Sequence, residues 1–310
     1  MDGPQVALLG YGEVGRVLAH GLAPRVRLRV YDPASPPAPA AERSPAHLHG
    51  LANAVGRASA GGTFLVACNA DAVRGADIVI AVTTGADSVT ACEESRPYLK
   101  PGALYADLST GAPGDKRRIA ELVEPAGATA VDGAIMAPIP LRGLATPILA
   151  SGGGAEPFAA FAGHHGMDVT PIDGAPGDAA ARKLLRSVLV KGLSALIMES
   201  QRAAEAAGLG EWFWDHLLET VTGADERFVR RLLEGAGQHS LRRVHEMHAA
   251  TRMLESLGVP YGMTAATAAT LERVSRTQVQ PVPGDGGDVG DARLTDAGAP
   301  AEEASPGRGA

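Results

Sequence analysis

The sequence predicts an α/β domain with a doubly wound, mostly parallel sheet, followed by an all-α domain. Short apolar strand patterns alternate with helical segments over residues 1–175, and helical segments without a convincing strand fill residues 176–280. Strands that alternate with helices form a parallel sheet covered by helices on both faces. We therefore predict a first domain over 1–175 and a second over 176–280, which begins with a long interdomain helix.

The strands and the first helix of the first domain follow from apolar runs and alternation. Residues 6–9 are predicted as a short buried strand, and a helix begins near Gly15 and runs to Leu22. Residues 26–30 alternate between apolar side chains and arginines, which is typical of a half-exposed strand. Further strands are predicted over 76–82, 103–108 and 129–135. Between the second and third strands lies a proline-rich stretch over 33–45, which we interpret as a surface excursion.

The helices of the second domain follow from apolar spacing. A helix over 178–208 is predicted because apolar residues recur there at helical intervals: Leu184, Leu185, Val188, Leu189, Leu193, Leu196 and Ile197. Gly177-Asp178 fits its N-terminal cap, and Gly208 fits its C-terminal stop. Further helices are predicted over 241–256 and 263–276.

Residues 281–310 are predicted to form a disordered acidic tail. They contain four Pro, seven Gly and no aromatic residue, so they cannot bury enough apolar surface to offset the entropy cost of ordering. Six acids against two arginines give the tail a charge of −4, within a total of −7. The acidity of the chain therefore lies mostly in this tail.

Composition and charge exclude several classes of function. The 310-residue chain is 45% hydrophobic and 20% charged, which is typical of a globular protein, and its negative charge argues against binding to nucleic acid. No apolar run reaches the ~18–20 residues of a membrane span, and we see no signal peptide. Cys68 and Cys92 give neither a disulfide framework nor a C-x-x-C pair. We expect a cytoplasmic protein that binds a small molecule and no metal.

The motif with the clearest function is Gly10-Tyr11-Gly12-Glu13-Val14-Gly15, a G-x-G-x-x-G. It follows an apolar strand and opens a helix, and Asp32 ends the next strand 22 residues after Gly10, which is the context of the dinucleotide-binding fingerprint. Gly10 permits the tight turn, Gly12 lets the backbone approach a pyrophosphate, and Gly15 lets helix and strand pack closely. The helix N-terminus offers N–H groups and a positive dipole end to the phosphates. Residues 10–15 and Asp32 are therefore predicted to bind the cofactor.

Asp32 favours NAD over NADP as the cofactor. Its carboxylate can accept hydrogen bonds from the adenosine ribose hydroxyls, whereas it would repel a 2′-phosphate. The alternative is that Asp32 only forms a turn before Pro33. NADP stays possible at this point.

Together with three further motifs, this loop makes the chain resemble the β-hydroxyacid dehydrogenase and 6-phosphogluconate dehydrogenase superfamily. Residues 107–110 resemble its D-x-S-T substrate loop, and residues 132–138 stand where it has an Asp-Ala-Pro-Val-Ser-Gly-Gly loop. Residues 174–177, followed by Lys183, resemble the segment that introduces its catalytic lysine. Residues 243–247, 258–260 and 265–274 resemble one branch, which carries a helical C-terminal domain of unknown function, DUF1932. The resemblance covers about residues 5–276.

The resemblance implies an NAD(P)-dependent oxidoreductase with a Rossmann domain, a hydroxy acid or carbonyl substrate and a lysine general acid/base. Lys183 takes the catalytic role, since desolvation in an otherwise apolar helix would lower its pKa; the alternative is a lysine on a solvated face. Ser187, one turn later, lies on the same helix face. The substrate would contact Ser109, Thr110, Gly133 and Ser187, and the nicotinamide side of the cleft would include Val82, Thr83 and Thr84.

Departures from the family pattern define the alternatives. Ser187 stands where the family has asparagine, and residues 137–140 replace its Ser-Gly-Gly. Val190 stands where 6-phosphogluconate dehydrogenases have a second acid, so oxidative decarboxylation of a sugar acid is not expected. An imine reductase on the same architecture and a non-catalytic NAD(H)-binding sensor are the alternative functions. We also expect a homodimer formed through the helical domain, because its apolar positions and the cluster at 212–214 exceed what about 100 residues can bury.

Overall fold

Eight strands form one sheet in the computed structural model, which describes residues 3–35, 63–238 and 240–277. The strands in chain order are β1 (Gln5–Leu9), β2 (Arg27–Tyr31), β3 (Thr63–Leu65), β4 (Ile78–Ala81), β5 (Leu104–Asp107), β6 (Thr129–Ile135), β7 (Ile148–Ser151) and β8 (Val169–Pro171). Their order across the sheet is β3-β2-β1-β4-β5-β6-β7-β8. Neighbours pair in parallel except β6 and β7, which are antiparallel. The sheet therefore reverses its strand order at β1 and β4, where open α/β sheets bind their ligands.

Six helices accompany the sheet among the described residues before the long helix. They are α1 (Glu13–Leu22), α2 (Asn69–Val73), α3 (Ser88–Ser95), α4 (Pro113–Val123), α5 (Ile139–Arg142) and α6 (Ala155–His164). Successive side chains of β1 point to opposite faces, so Val6 and Leu8 pack with α1 and α6, and Ala7 and Leu9 pack with α2 and α4. Two apolar cores, one on each face, make the sheet doubly wound.

Five helices make up the described part of the C-terminal region: α7 (Asp178–Ala206), α8 (Gly210–Thr222), α9 (Glu226–Gln238), α10 (Ser240–Ser256) and α11 (Gly262–Thr277). The chain separates into two compact units, Met1–Ser194 and Ala195–Ala310, and the division falls inside α7. In the second unit, Ala203, Leu254 and Val259 form a small core. The carboxylate of Glu199 accepts hydrogen bonds from the backbone N–H of Met263 and Thr264, each at 2.8 Å, and so holds the beginning of α11.

The predicted fold class is confirmed: a mostly parallel α/β sheet is followed by helices. The predicted strand over 129–135 has the observed bounds, and the helix predicted over 178–208 ends at Ala206. Three strands were not predicted from the sequence: β3, β7 and β8. β3 and β8 have only three residues, too few to show a period, and β7 has four. β4 and β5 are as short as β7, but they lie in longer apolar runs, over 76–82 and 103–108. The predicted domain limits at 175 and 280 stay predictions. The predicted tail over 281–310 and most of the proline-rich stretch lie outside the described residues.

The residues that the structure describes contain neither a membrane-spanning helix nor a metal-binding group of side chains. None of their helices combines the length and the apolar character that crossing a bilayer requires. No three of their His, Cys, Asp or Glu side chains are arranged to hold a metal ion.

Candidate functional site

The loop between β1 and α1 has the geometry that a nucleotide-binding turn requires. Gly10 has a φ of +104°, and a Cβ there would lie 2.6 Å from the carbonyl oxygen of Val82. A Cβ on Gly15 would collide with the carbonyl oxygen of Gly10, so close packing of α1 on the loop excludes any side chain. A Cβ on Gly12, in contrast, would meet nothing within 4 Å. Gly12 precedes α1 and provides no side-chain cap, so the N-terminus of α1 opens onto free space.

Asp32 connects this loop to the end of β2. Its Oδ2 accepts a hydrogen bond from the backbone N–H of Tyr11 at 2.5 Å, and its Oδ1 accepts one from Ala34 at 2.7 Å. The Tyr11 ring is buried, with the guanidinium of Arg16 at 5.8 Å from the ring centroid. Asp32 therefore forms a turn, as the alternative interpretation has it, and also lies beside the glycine loop, as the cofactor interpretation requires.

A cleft of 430 Å³ opens at the carboxyl ends of the central strands. It is surrounded by the glycine loop between β1 and α1, by the ends of β4, β5 and β6, and by one face of α7. Its lining consists of Glu13, Val14, Val82, Thr83, Leu108, Ser109, Thr110, residues 135–140, Lys183, Arg186, Ser187 and Lys191. This is the edge at which α/β sheets of this kind bind ligands.

Lys183 occupies the wall of the cleft that α7 forms. Its Nζ donates a hydrogen bond to Oγ1 of Thr110 at 2.8 Å. Burial lowers the pKa of Lys183, the positive charges of Lys116 and Lys191 lower it further, and Asp132 opposes them. A lysine with a lowered pKa, half-buried in a cleft, is suited to exchange a proton with a bound ligand.

Three hydroxyl side chains also line the cleft, those of Thr83, Ser109 and Thr110. The Oγ atoms of Thr83 and Ser109 lie 3.1 Å apart, so one donates to the other. The backbone N–H of Ser109 donates to Oδ1 of Asp107 at 3.0 Å, which fixes the turn after β5. The Ser109 hydroxyl therefore lies beside that of Thr83 in the cleft lining, whereas the Thr110 hydroxyl is in direct contact with Lys183.

Three charged side chains, each at most 2% exposed, lie beneath this turn: Asp107, Lys116 and Asp132. The ammonium of Lys116 lies 2.8 Å from Oδ2 of Asp107 and 3.6 Å from Oδ1 of Asp132. It also donates to the carbonyl oxygens of Asp107 and Ser109, each at 2.8 Å. We call these three residues the buried cluster.

Asp132 fixes the beginning of α7. Its Oδ2 accepts backbone hydrogen bonds from Gly177 at 2.9 Å and from Ala179 and Ala180 at 3.1 Å, together with the hydroxyl of Ser151 at 3.0 Å. A carboxylate at a helix N-terminus satisfies N–H groups that have no partner within the helix and complements the helix dipole. Asp132 therefore determines where α7 starts and, five residues later, where Lys183 lies.

The structure brings most of the predicted site residues to one place. Eight of them line the cleft: Glu13, Val14, Val82, Thr83, Ser109, Thr110, Lys183 and Ser187. Gly133 does not line it; it is buried in β6, where a Cβ would collide with the side chain of Leu108, which does line the cleft. Thr84 is exposed, and its Oγ1 bonds to the Asp87 carboxylate before α3. Gly133 thus supports the wall, and Thr84 ends the loop beside it.

The sequence analysis missed Lys116 of the buried cluster and the cleft residues Arg186 and Lys191. A signal was present in the sequence. Asp107 lies near the end of the strand predicted over 103–108, and Asp132 lies within the strand predicted over 129–135. In a parallel sheet with these strands side by side, the two aspartates come close together. A buried cation between them was therefore to be expected. Arg186 and Lys191 follow Lys183 by three and eight residues, which is helical spacing.

Comparison with known families assigns the C-terminal part of the chain. Residues 204–274 match the family model described as domain of unknown function DUF1932. Among proteins with curated descriptions, none is detectably similar in sequence.

Solved structures extend the similarity to most of the chain. A conserved hypothetical protein from Sinorhizobium meliloti is 31% identical, with a TM-score of 0.56 over 86% of this chain and 87% of that one. A conserved protein of unknown function, MTH1747, described as similar to 3-hydroxyacid dehydrogenases, is 28% identical, with a TM-score of 0.55 over 87% and 96%. An imine reductase from Aspergillus terreus in complex with NADPH4 has 19% identity and a TM-score of 0.67 over 89% and 95%, which shows a shared fold.

The Sinorhizobium protein is similar enough, over enough of both chains, to establish a common family. The chain also shares its fold with imine reductases and with MTH1747, which is described as similar to 3-hydroxyacid dehydrogenases. The chain therefore belongs to the same family as the Sinorhizobium protein, with a C-terminal DUF1932 domain and a fold like that of 3-hydroxyacid dehydrogenases and imine reductases.

Proposed function

We propose that this protein is an NAD(P)-dependent oxidoreductase that transfers a hydride between nicotinamide and a small hydroxy acid or carbonyl substrate. The observation that carries the proposal is the cleft itself. It brings the end of the glycine loop, the Ser109-Thr110 turn and Lys183 together around 430 Å³. A lysine with a lowered pKa then lies where a substrate beside the nicotinamide would need a proton donor or acceptor.

The glycine loop fits a dinucleotide. Open space beyond Gly12 leaves room for a pyrophosphate at the N-terminus of α1, while Gly10 and Gly15 keep the turn tight. Asp32 makes one hydrogen bond through each oxygen, which leaves acceptor capacity on its carboxylate for ribose hydroxyls. Relatives on this fold bind NADPH or, in an imine reductase variant from Myxococcus stipitatus, NAD+. The carboxylate of Asp32 favours NAD here.

The charges in the cleft favour an anionic substrate. Three cations line it, Lys183, Arg186 and Lys191, against one acid, Glu13. A carboxylate on the substrate is attracted to these cations, whereas a protonated imine would enter as a like charge. This argues for a hydroxy acid or keto acid rather than the iminium substrate of an imine reductase.

The bound nicotinamide would supply or accept the hydride, and the chain would manage the proton. During oxidation of an alcohol, the neutral amine of Lys183 takes the hydroxyl proton; during reduction of a carbonyl, its ammonium returns one. Thr110 holds Nζ in place through the 2.8 Å hydrogen bond. Oxidation needs the neutral amine, and reduction needs the ammonium. The rate of oxidation should therefore increase, and the rate of reduction should decrease, as the pH rises through the pKa of Lys183.

Replacement of Lys183 by alanine tests this assignment. A panel of hydroxy acids, keto acids, aldehydes and cyclic imines is assayed by nicotinamide fluorescence with the wild-type protein and the variant. Loss of the only proposed acid/base should reduce turnover about 10²–10⁴-fold, while the dissociation constant for NADH changes little, because the glycine loop and Asp32 hold the cofactor. Lys100→Met, which removes a lysine paired with Asp77 at the surface, is the matched control.

The outcomes separate an enzyme from a sensor. Wild-type turnover in the Lys183→Ala variant would exclude Lys183 as the acid/base. Tight NADH binding without turnover of any panel compound would favour a non-catalytic NAD(H)-binding protein, and turnover of cyclic imines alone would favour an imine reductase.

A further inference from the structure

Lysines are few in this chain, and most of them lie at the candidate site. The sequence contains four lysines against 24 arginines. Lys183 and Lys191 line the cleft, and Lys116 is buried and bonded to the cleft residue Ser109, whereas Lys100 pairs with Asp77 at the surface. Because the chain uses arginine for most of its cations, a buried lysine marks a position that requires a compact ammonium group.

The surroundings of Lys116 explain that requirement. Three oxygens lie 2.8 Å from its Nζ: the carbonyl oxygens of Asp107 and Ser109 and Oδ2 of Asp107. An ammonium group offers three donors from a single atom. Two of them form hydrogen bonds to the carbonyl oxygens, whereas Oδ2 of Asp107 and Oδ1 of Asp132 pair with the charge of Lys116 without forming a hydrogen bond. A planar guanidinium spreads its donors over a larger fork and does not match three oxygens around one point.

The two aspartates of the buried cluster would repel each other without this cation. Asp107 and Asp132 are register partners on β5 and β6, and each is at most 2% exposed. Like charges on facing residues of adjacent strands are unfavourable, and burial strengthens the repulsion. Lys116 contacts both carboxylates, while the second oxygen of Asp132 faces the positive N-terminus of α7.

We propose that Lys116 is a positioning residue of the cleft, which holds the Ser109-Thr110 turn and the helix of Lys183 in one arrangement through Asp107 and Asp132. On one side Lys116 binds Ser109 and Asp107, and Asp107 fixes the same turn. On the other side it contacts Asp132, whose carboxylate caps the N-terminus of α7. The 2.8 Å hydrogen bond between Lys183 and Thr110 joins exactly these two sides. The catalytic meaning of this arrangement rests on the proposed function, but the placement of Lys183 is measurable without turnover.

The charges of the buried cluster also predict the direction in which the pKa of Lys183 shifts in each variant. Burial lowers the pKa of Lys183, Lys116 and Lys191 lower it further, and Asp132 raises it; Arg186 and Glu13 are the other charged groups lining the cleft. Loss of the charge on Lys116 should therefore move the protonation of Lys183 to higher pH, and loss of the charge on Asp132 should move it to lower pH. A cleft that merely loosens and admits water would move it to higher pH in both variants.

Trace acetylation with acetic anhydride over a series of pH values measures this protonation in the full-length protein. Mass spectrometry of the peptides reports each of the four lysines separately. The variants are Lys116→Met, the double variant Lys116→Met with Asp107→Asn, and Asp132→Asn, with Lys100→Met as the control. We expect the labelling midpoint of Lys183 to rise in the two Lys116 variants, to fall in Asp132→Asn and to stay unchanged in Lys100→Met. NADH affinity should stay within about twofold throughout, because the glycine loop is untouched.

Lys116→Met alone leaves two buried carboxylates without a cation and can fail to give a cooperative melting transition. In that case the double variant replaces it in the test, because it removes one of these negative charges together with the cation. Asp132→Asn keeps an oxygen for the N–H groups of α7 and tests the proposal independently of both. An unchanged Lys183 midpoint in a folded Lys116 variant overturns the proposal, as does an upward shift in Asp132→Asn. These shifts are expected even if no substrate is ever found, whereas loss of turnover in Lys183→Ala without them would support the proposed function and overturn the role of Lys116.

Discussion

At the scale of single residues, the three glycines of the nucleotide loop differ in what a side chain would meet. A methyl group on Gly15 would collide with the backbone of Gly10, and one on Gly12 would project into open space. The same substitution therefore separates packing from ligand binding. The sequence motif already predicts a separate role for each glycine, and the backbone geometry adds what a side chain at each position would meet.

We expect Gly15→Ala to destabilise the protein and Gly12→Ala to weaken cofactor binding selectively. The collision at Gly15 should cost about 1–3 kcal/mol or more of unfolding free energy, whereas Gly12→Ala should change it by about 1 kcal/mol at most. The added methyl at Gly12 should nevertheless weaken NADH binding about tenfold or more, because it occupies the space that a pyrophosphate needs. Chemical denaturation and fluorescence titration measure the two effects, and full NADH affinity in Gly12→Ala would contradict the binding mode.

Asp32 should set the choice between NAD(H) and NADP(H). Loss of its hydrogen bonds to the ribose in Asp32→Ala should weaken NADH binding roughly 10–100-fold. Asp32→Asn removes the charge that repels a 2′-phosphate and keeps one acceptor oxygen for either the Tyr11 or the Ala34 N–H, although its amide nitrogen, a donor, cannot accept from the other. We expect it to bind NADPH more tightly than the wild-type protein does. Tighter binding of NADPH than of NADH by the wild-type protein would show that the assignment is wrong.

At the scale of elements, the beginnings of helices depend on contacts that a local pattern does not contain. The sequence predicted that α7 begins at Asp178, and it does. The carboxylate that holds this end, however, belongs to Asp132, which is more than 40 residues earlier in the chain. Local periodicity therefore predicted the helix, and the family resemblance pointed to Lys183 on it. The buried cluster, in contrast, depends on the pairing of β5 with β6 and on the position of α4.

A second distant carboxylate holds the beginning of α11. Burial by itself would raise the pKa of Glu199, but the Thr264 hydroxyl and the N–H groups of Met263 and Thr264 donate to its carboxylate and lower the pKa below its ordinary value of 4.5. Because the folded-state pKa lies below the unfolded one, Glu199 stabilises the protein above about pH 4.5, and this contribution disappears as the pH falls through the lowered value.

Glu199→Gln should consequently destabilise the protein at neutral pH by about 1 kcal/mol, the usual contribution of a capping group, and much less near pH 3. Thermal melts of the two proteins at both pH values measure the difference. Glu255→Gln, an exposed glutamate on α10, is the matched control and should melt like the wild type. An equal difference at both pH values would mean that the charge of Glu199 contributes nothing to the cap.

At the scale of the whole molecule, the sheet and the C-terminal helices differ in how well they bury their apolar side chains. The sheet carries an extensive core on each face, whereas the described core of the second unit is small. Large apolar side chains are at least 50% exposed on α7, α8 and α9: Leu185, Val188, Leu189, Met198, Trp212, Trp214, Val221, Val229 and Leu233. The sequence predicts more apolar positions in the helical domain than about 100 residues can bury, and the single chain leaves these side chains exposed. Helical periodicity shows which residues share a face, but it does not show whether the covering surface belongs to the same chain.

We propose that a second copy of the chain covers this surface and that the protein is a homodimer in solution. Apolar faces of this extent are rare in monomers, and two-fold dimers are the commonest way to cover them. Light scattering at micromolar concentration should give twice the mass of the chain. Leu185→Glu combined with Leu189→Glu places two charges on a face that is about 70% exposed at both positions and should shift the protein toward monomers. Leu141→Glu, on the short helix α5 and 78% exposed, is the control and should stay dimeric. A wild-type monomer would exclude the dimer, and an intact dimer in the Leu185→Glu, Leu189→Glu variant would mean that the interface is not on this face of α7.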